Sequence, residues 1–119
     1  YPNFLDEEDY KKADPDSYHQ LAKEMDLLNF DQISIEDAHC ANDLKLLDLF
    51  EKKTIIFGTI AIARSRLETL EEVTGRIKAA LEHIDRERLV IAPDCGLGFL
   101  SEDLAAAKLG VMCQAAAQC

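Results

Sequence analysis

The chain is expected to fold as an α/β domain built from parallel strand–helix units. Three observations predict this. After residue 14, stretches with apolar residues three and four apart alternate with short β-branched stretches. Helix-start signals stand before three of the helical stretches, at Asp14-Pro15, Thr69-Leu70-Glu71-Glu72 and Ser101. The first strand also has one polar face. Such a face is out of place in an open sheet covered on both sides and suits the interior of a barrel near an active site.

The elements follow in order. Asp14 reads as an N-cap with Pro15 at the first helical position. The helix runs through Tyr18, Leu21, Ala22, Met25 and Leu28 and stops near Asn29. Residues 30–37 read as a strand, with Ile33 and Ile35 on one face and Gln32, Ser34 and Glu36 on the other. A helix is expected over 42–52, burying Leu44, Leu47 and Phe50. Residues 53–61 form a second strand, rich in Thr and Ile. The capping box at Thr69 starts a helix that reaches about Ile84. Residues 89–92 are a short buried strand. Ser101 caps a last helix through Ala105, Leu109, Met112 and Ala116.

The domain division is an acidic N-terminal segment over 1–13 and a unit over 14–119, one helix followed by three strand–helix units. Crossovers are right-handed and helices cover one face of the sheet. Three units are too few to close an eight-stranded barrel. The unit is either part of a larger barrel or completed by another chain.

Composition narrows function. The 119 residues carry a formal charge of -10, which argues against nucleic acid and anionic membrane surfaces as partners. The acidic run Asp6-Glu7-Glu8-Asp9 reads as a solvated segment. No apolar stretch reaches the length of a membrane span. Cys40, Cys95, Cys113 and Cys119 match neither a zinc knuckle nor a secreted disulfide scaffold, so reduced thiols in a cytoplasmic protein are expected. There is no Walker loop, no dinucleotide fingerprint around Gly96-Leu97-Gly98 and no nucleophile elbow.

In parallel α/β folds functional groups gather at the C-terminal ends of strands. Glu36 ends the first strand on its polar face. It reads either as a capping or salt-bridged surface carboxylate, or as a metal ligand or general base. Asp37, on the opposite face, is expected to cap the next helix. Cys95 stands in Pro93-Asp94-Cys95-Gly96, where the glycine permits a tight turn after the strand. It reads either as a structural thiol or as a ligand. His39 and Cys40 fit the loop or helix start better than a metal shell. Arg64 and Arg66 suit either an anionic substrate or plain solvation. Glu36 and Cys95 lie on the first and third strands, so a flat sheet would hold these ends roughly 10 Å apart. Ligands of one zinc approach to within about 4 Å. Barrel curvature and inward side chains would have to close the gap.

Asp31-Gln32-Ile33-Ser34-Ile35-Glu36 and Ala92-Pro93-Asp94-Cys95-Gly96-Leu97 resemble two signatures of the cobalamin-independent methionine synthase catalytic domain. The similarity runs from about Asp14 to the end. It implies the C-terminal portion of a TIM-type barrel, with Glu36 and Cys95 as zinc ligands. It further implies methyl transfer from 5-methyltetrahydrofolate to the thiol of homocysteine, giving methionine, with zinc holding the acceptor sulfur as a nucleophilic thiolate. The family completes its shell with a His-x-Cys pair, and this chain contains none. The family also places a histidine, a proton donor to the folate, near the end of the second of these strands. The matching position here is Ala63. A related zinc-dependent thiol alkyltransferase, of the epoxyalkane–coenzyme M transferase type, fits the same residues. So does a non-catalytic half-barrel that works by pairing with a partner chain or itself. The isolated 119 residues are expected to be inactive.

Overall fold

The computed structural model describes residues 4–7, 14 and 16–119. Its elements run α1 (Asp16–Leu27), β1 (Gln32–Ile35), a 3-10 helix (Leu44–Leu49), β2 (Thr54–Ile60), α2 (Leu70–Ala80), a short 3-10 turn (Arg86–Arg88), β3 (Leu89–Pro93) and α3 (Glu102–Ala117). The three strands are parallel and stand in the order β1-β2-β3. The expected parallel α/β architecture is therefore present. Most of the acidic segment 1–13 lies outside the described residues, as does Pro15 at the expected helix start.

Register decides which side chains share a face. Ile33 pairs with Ile55 and Ile55 with Leu89, while Ile35 pairs with Phe57 and Phe57 with Ile91. This apolar row is covered: Ile33, Ile35, Ile55 and Phe57 are buried with Leu46, Leu47, Phe50 and Ala80 from the flanking helices. Burial of a large side chain of this kind contributes roughly 1.5–3 kcal/mol. The opposite row, Ser34–Ile56–Val90, is bare, and Val90 is 43% exposed. Helices on one face and an uncovered, partly polar second face make the sheet an arc of a barrel wall. The bare side is the one that a closed barrel would hold inside. The third strand, expected to be buried, is half-buried at Leu89, Ile91, Ala92 and Pro93 and exposed at Val90.

The first connection differs from expectation. Instead of an α-helix over 42–52, six residues, Leu44–Leu49, form a 3-10 helix capped by the Asp43 side chain, which accepts the Lys45 N–H. The physical reason lies in the spacing. Leu44, Leu47 and Phe50 are buried and stand three apart, and in a 3-10 helix i and i+3 eclipse on one side.

The termini of the longer helices follow their signals. Asp14 accepts the Asp16 N–H at 3.0 Å. Thr69 and Glu72 form the reciprocal capping box. Ser101 accepts the Leu104 N–H. The C-terminus of α1 is tied to the start of β2 by Asp26, which accepts the Lys52 and Lys53 N–H groups at 3.1 and 3.2 Å. Burial works to raise the Asp26 carboxyl, but the backbone bonds from Lys52, Glu51 and Lys53 and the Lys53 charge outweigh it and hold the group below its ordinary value.

Two helix faces are turned from their expected setting. In α1, Ala22 is buried while Leu21 faces solvent, as does Leu28 just past the helix end. In α3 the fully buried residues are Lys108 and Ala115 rather than Ala105 and Ala116. The cause in α3 is the ion pair formed by Lys108.

Candidate functional site

The ends of the three strands are tied together by side chains that accept backbone N–H groups. Glu36 follows β1 on the bare face and is half-buried. Asp37, on the covered face, is buried and takes the guanidinium of Arg76 on α2 in two contacts, at 2.6 and 2.7 Å. It also accepts the Asn42 N–H at 2.8 Å. Asp37 therefore anchors the loop to α2 and does not cap the next helix, a role taken by Asp43.

Asp94, at the end of β3, is 5% exposed. Its Oδ1 accepts the N–H groups of Asp37 and Ala38, both at 3.0 Å, and its Oδ2 accepts that of His39 at 2.9 Å. Its own N–H donates to the Ile60 carbonyl at 3.0 Å. The side chain thus reaches from the third strand to the loop after the first. Gly58 of β2 makes the crossing possible. A Cβ there would collide with the Asp94 carboxylate and lie 2.9 Å from its Cα. A register shift between Gly58 and Ile60 leaves an extra residue in β2 beside this point, a local bend common next to active sites.

His39 extends the connection. Its Nε2 accepts the N–H groups of Ile62 and Ala63 at 3.0 and 3.3 Å. Accepting requires an unprotonated Nε2, which fixes the tautomer and commits that nitrogen. Ala63 itself is buried. Arg64 donates to the His39 carbonyl at 3.3 Å. Arg66 instead pairs with Glu72 at 2.9 Å, and this bond, with those from Thr69, holds the Glu72 carboxyl down at about 2. Asp6 donates its N–H to the Ala63 carbonyl and accepts that of Ser65. The Ser65 bonds lower its carboxyl.

Beneath the loop after β2 lies a buried ion pair. Lys108 is 0% exposed, and its Nζ stands 2.9 Å from both Glu68 oxygens. It also donates to the carbonyls of Ala61 and Arg66 at 3.2 and 2.7 Å. Glu68 in turn accepts the Ala61 N–H.

Sequence reasoning quoted Asp94 without giving it a role, and missed the Lys108–Glu68 pair. Signals existed for both. Gly58 interrupts a β-branched strand, the mark of a close backbone approach. Lys108 is the one charged residue of α3 after Asp103.

Cys95, next to Asp94, is exposed and free. A thiol and a carboxylate are both donors that zinc accepts. Among the described residues no three His, Cys, Asp or Glu converge on a possible metal position. A tetrahedral shell would therefore take further donors from outside them.

Comparison with known proteins places this arrangement. The sequence model described as "Cobalamin-independent synthase, Catalytic domain" matches residues 15–118. The methionine synthase of Pyrococcus horikoshii is 32% identical over 100 residues, 83% of this chain and 30% of the relative. That of Thermococcus kodakarensis is 35% identical over 96 residues, 78% of this chain and 28% of the relative. A solved structure of a B12-independent methionine synthase from Shewanella sp. W3-18-1, in complex with selenomethionine, superposes with a TM-score of 0.80. It is 29% identical, over 85% of this chain and 30% of that one. The chain thus spans about 30% of the length of such relatives. With its parallel strand–helix units forming part of a TIM-type barrel, the chain belongs to the cobalamin-independent methionine synthase catalytic-domain family.

Proposed function

We propose that this chain is the C-terminal part of a zinc-dependent methyltransferase that carries the methyl group of 5-methyltetrahydrofolate to the thiol of homocysteine. Glu36 and Cys95 would hold the metal from the ends of β1 and β3. The observation that carries the reading is the reach of Asp94 from beside Cys95 to the peptides directly after Glu36. Two strand ends that a flat sheet keeps roughly 10 Å apart are tied to each other by that side chain.

When bound, zinc supplies the Lewis acidity that keeps an acceptor sulfur anionic near neutral pH. This chain contributes two donors and a rigid floor for them. The Asp37–Arg76 pair fixes the loop that follows Glu36. The Lys108–Glu68 pair fixes the loop after β2. The bare face of the sheet, with Ser34, Ile56 and Val90 in register, forms part of the barrel interior once further strands close it. Those strands come from the same polypeptide or from a partner chain. The 119 residues alone bind zinc weakly and do not turn over.

One observation favours a second reading. Ala63 offers no titratable group at the position of the family's histidine, so transfer to another thiol, or from another alkyl donor, fits the same metal pair. Zinc content and methyl-folate turnover of the full-length protein, with C95S and E36Q variants, test both readings. The first predicts metal loss in both variants and turnover with homocysteine in the parent. Metal loss without homocysteine turnover selects the second. Unchanged metal in both variants refutes the ligand assignment.

A further inference from the structure

Resting on that zinc reading, we propose that Asp94 is a positioning residue for the metal pair, holding Glu36 and Cys95 in the relative placement one ion requires.

The argument begins with a problem of reach. β1 and β3 are not neighbours, since β2 lies between them. Strand spacing alone keeps their ends roughly 10 Å apart, whereas donors to a single zinc stand within about 4 Å of one another. Some group must set how the two ends meet. Asp94 is covalently adjacent to Cys95, and its carboxylate accepts N–H groups from three successive residues, 37 to 39, starting one peptide after Glu36. Bonds that cross the sheet this way fix the direction in which the chain leaves Glu36.

The other end of the bridge is fixed as well. The Asp94 N–H is held by the Ile60 carbonyl of β2. Cys95 therefore follows a residue whose main chain is bonded to the second strand and whose side chain is bonded beyond the first. Gly58 belongs to the same device, because any side chain at that position would displace the carboxylate. Groups behind a metal's donors commonly tune its binding by 10–100-fold. Asp94 touches neither donor side chain through these bonds and acts through the backbone that carries them.

The test uses the full-length protein and zinc as the probe, with affinity measured by chelator competition and stability of the metal-free protein measured separately. Asp94→Ala removes all three acceptor contacts. It is expected to lower zinc affinity by about 10–100-fold. Asp94→Asn keeps an oxygen for Asp37 and Ala38 but turns a donor toward His39, so it is expected to fall between the parent and the alanine variant and to retain the fold. The control is Asp26→Asn, which loosens the buried tie to Lys52 and Lys53 at the opposite end of the sheet. It is expected to lower stability and leave zinc affinity unchanged. The proposal is overturned if Asp94→Asn and Asp26→Asn lower affinity equally at equal loss of stability. It is also overturned if zinc affinity in both Asp94 variants stays within about twofold of the parent while C95S and E36Q lose the metal; the ligand reading then stands. If C95S and E36Q retain full affinity, the ligand reading itself fails and takes this proposal with it.

Discussion

Removing one member of the Lys108–Glu68 pair is predicted to be among the most destabilising single changes in the chain. The ammonium is fully buried and is met by both Glu68 oxygens at 2.9 Å and by two carbonyls. Lys108→Met leaves the Glu68 carboxylate buried with the Ala61 N–H still donating to it. It also frees the carbonyls of Ala61 and Arg66. Stranding one charge of a buried pair costs about 3–5 kcal/mol. Glu68→Gln keeps a carbonyl oxygen for Lys108 and the Ala61 N–H, so its cost should sit near the lower end of that range. The double variant strands no charge. Its cost should fall below the sum of the singles by about 1.5–3 kcal/mol, a coupling of the size that contacting charged groups show. Urea denaturation of the four proteins gives the coupling energy. Exchange of the Ala61 amide reports whether the loop after β2 is the part released. Additive costs, or a Lys108→Met cost below about 1 kcal/mol, would refute the reasoning.

Three further predictions follow from local geometry. Gly58→Ala should destabilise by about 1–3 kcal/mol as an overpacking change, and should do so less in an Asp94→Ala background, where the carboxylate clash is gone and the close approach to the residue 94 Cα remains, as denaturation midpoints of the two pairs would reveal. Asp26 has a folded-state pKa below its ordinary value, so its contribution is complete above the unfolded pKa and is lost as pH falls through the folded one. Asp26→Asn should then cost about 1–3 kcal/mol at neutral pH, with the gap to the parent closing on acidification; a gap independent of pH between 7 and strong acid would contradict this. Thr69→Ala should cost about 1 kcal/mol by loss of the helix cap. The Glu72 half of the same box, held at about 2 by Arg66 and Thr69, should keep its full contribution down to the ordinary Glu range and lose it only as pH falls through about 2, measurable as helix content of α2.

How far these features were legible varies with how local they are. The caps at Asp14, Thr69 and Ser101 were readable because each is a contact within a few residues of its own helix. The alternation of Ile33 and Ile35 with Gln32 and Ser34 identified the bare face because strand periodicity is two. The 3-10 helix at Leu44–Leu49 was written in the threefold spacing of Leu44, Leu47 and Phe50, which resembles an α-helical stripe over so short a span. Asp37 was misread and Lys108 passed over because their partners, Arg76 and Glu68, stand 39 and 40 residues away. Nothing in local propensity anticipates a partner at that distance. Glu36 and Cys95 stand just past the ends of β1 and β3, as expected, since the end of a parallel strand is a topological property. The side chain that bridges these two strand ends was not found, because its partners are backbone N–H donors, and Gly58 alone marks its close approach in residue type.

The claim that Glu36 and Cys95 share a metal is tested most directly by replacing zinc with cobalt(II) in the full-length protein and recording its absorption. The account predicts a thiolate-to-cobalt charge-transfer band that weakens in C95S, together with a ligand-field spectrum that changes in E36Q while that band persists. Identical spectra in the parent and both variants would contradict it.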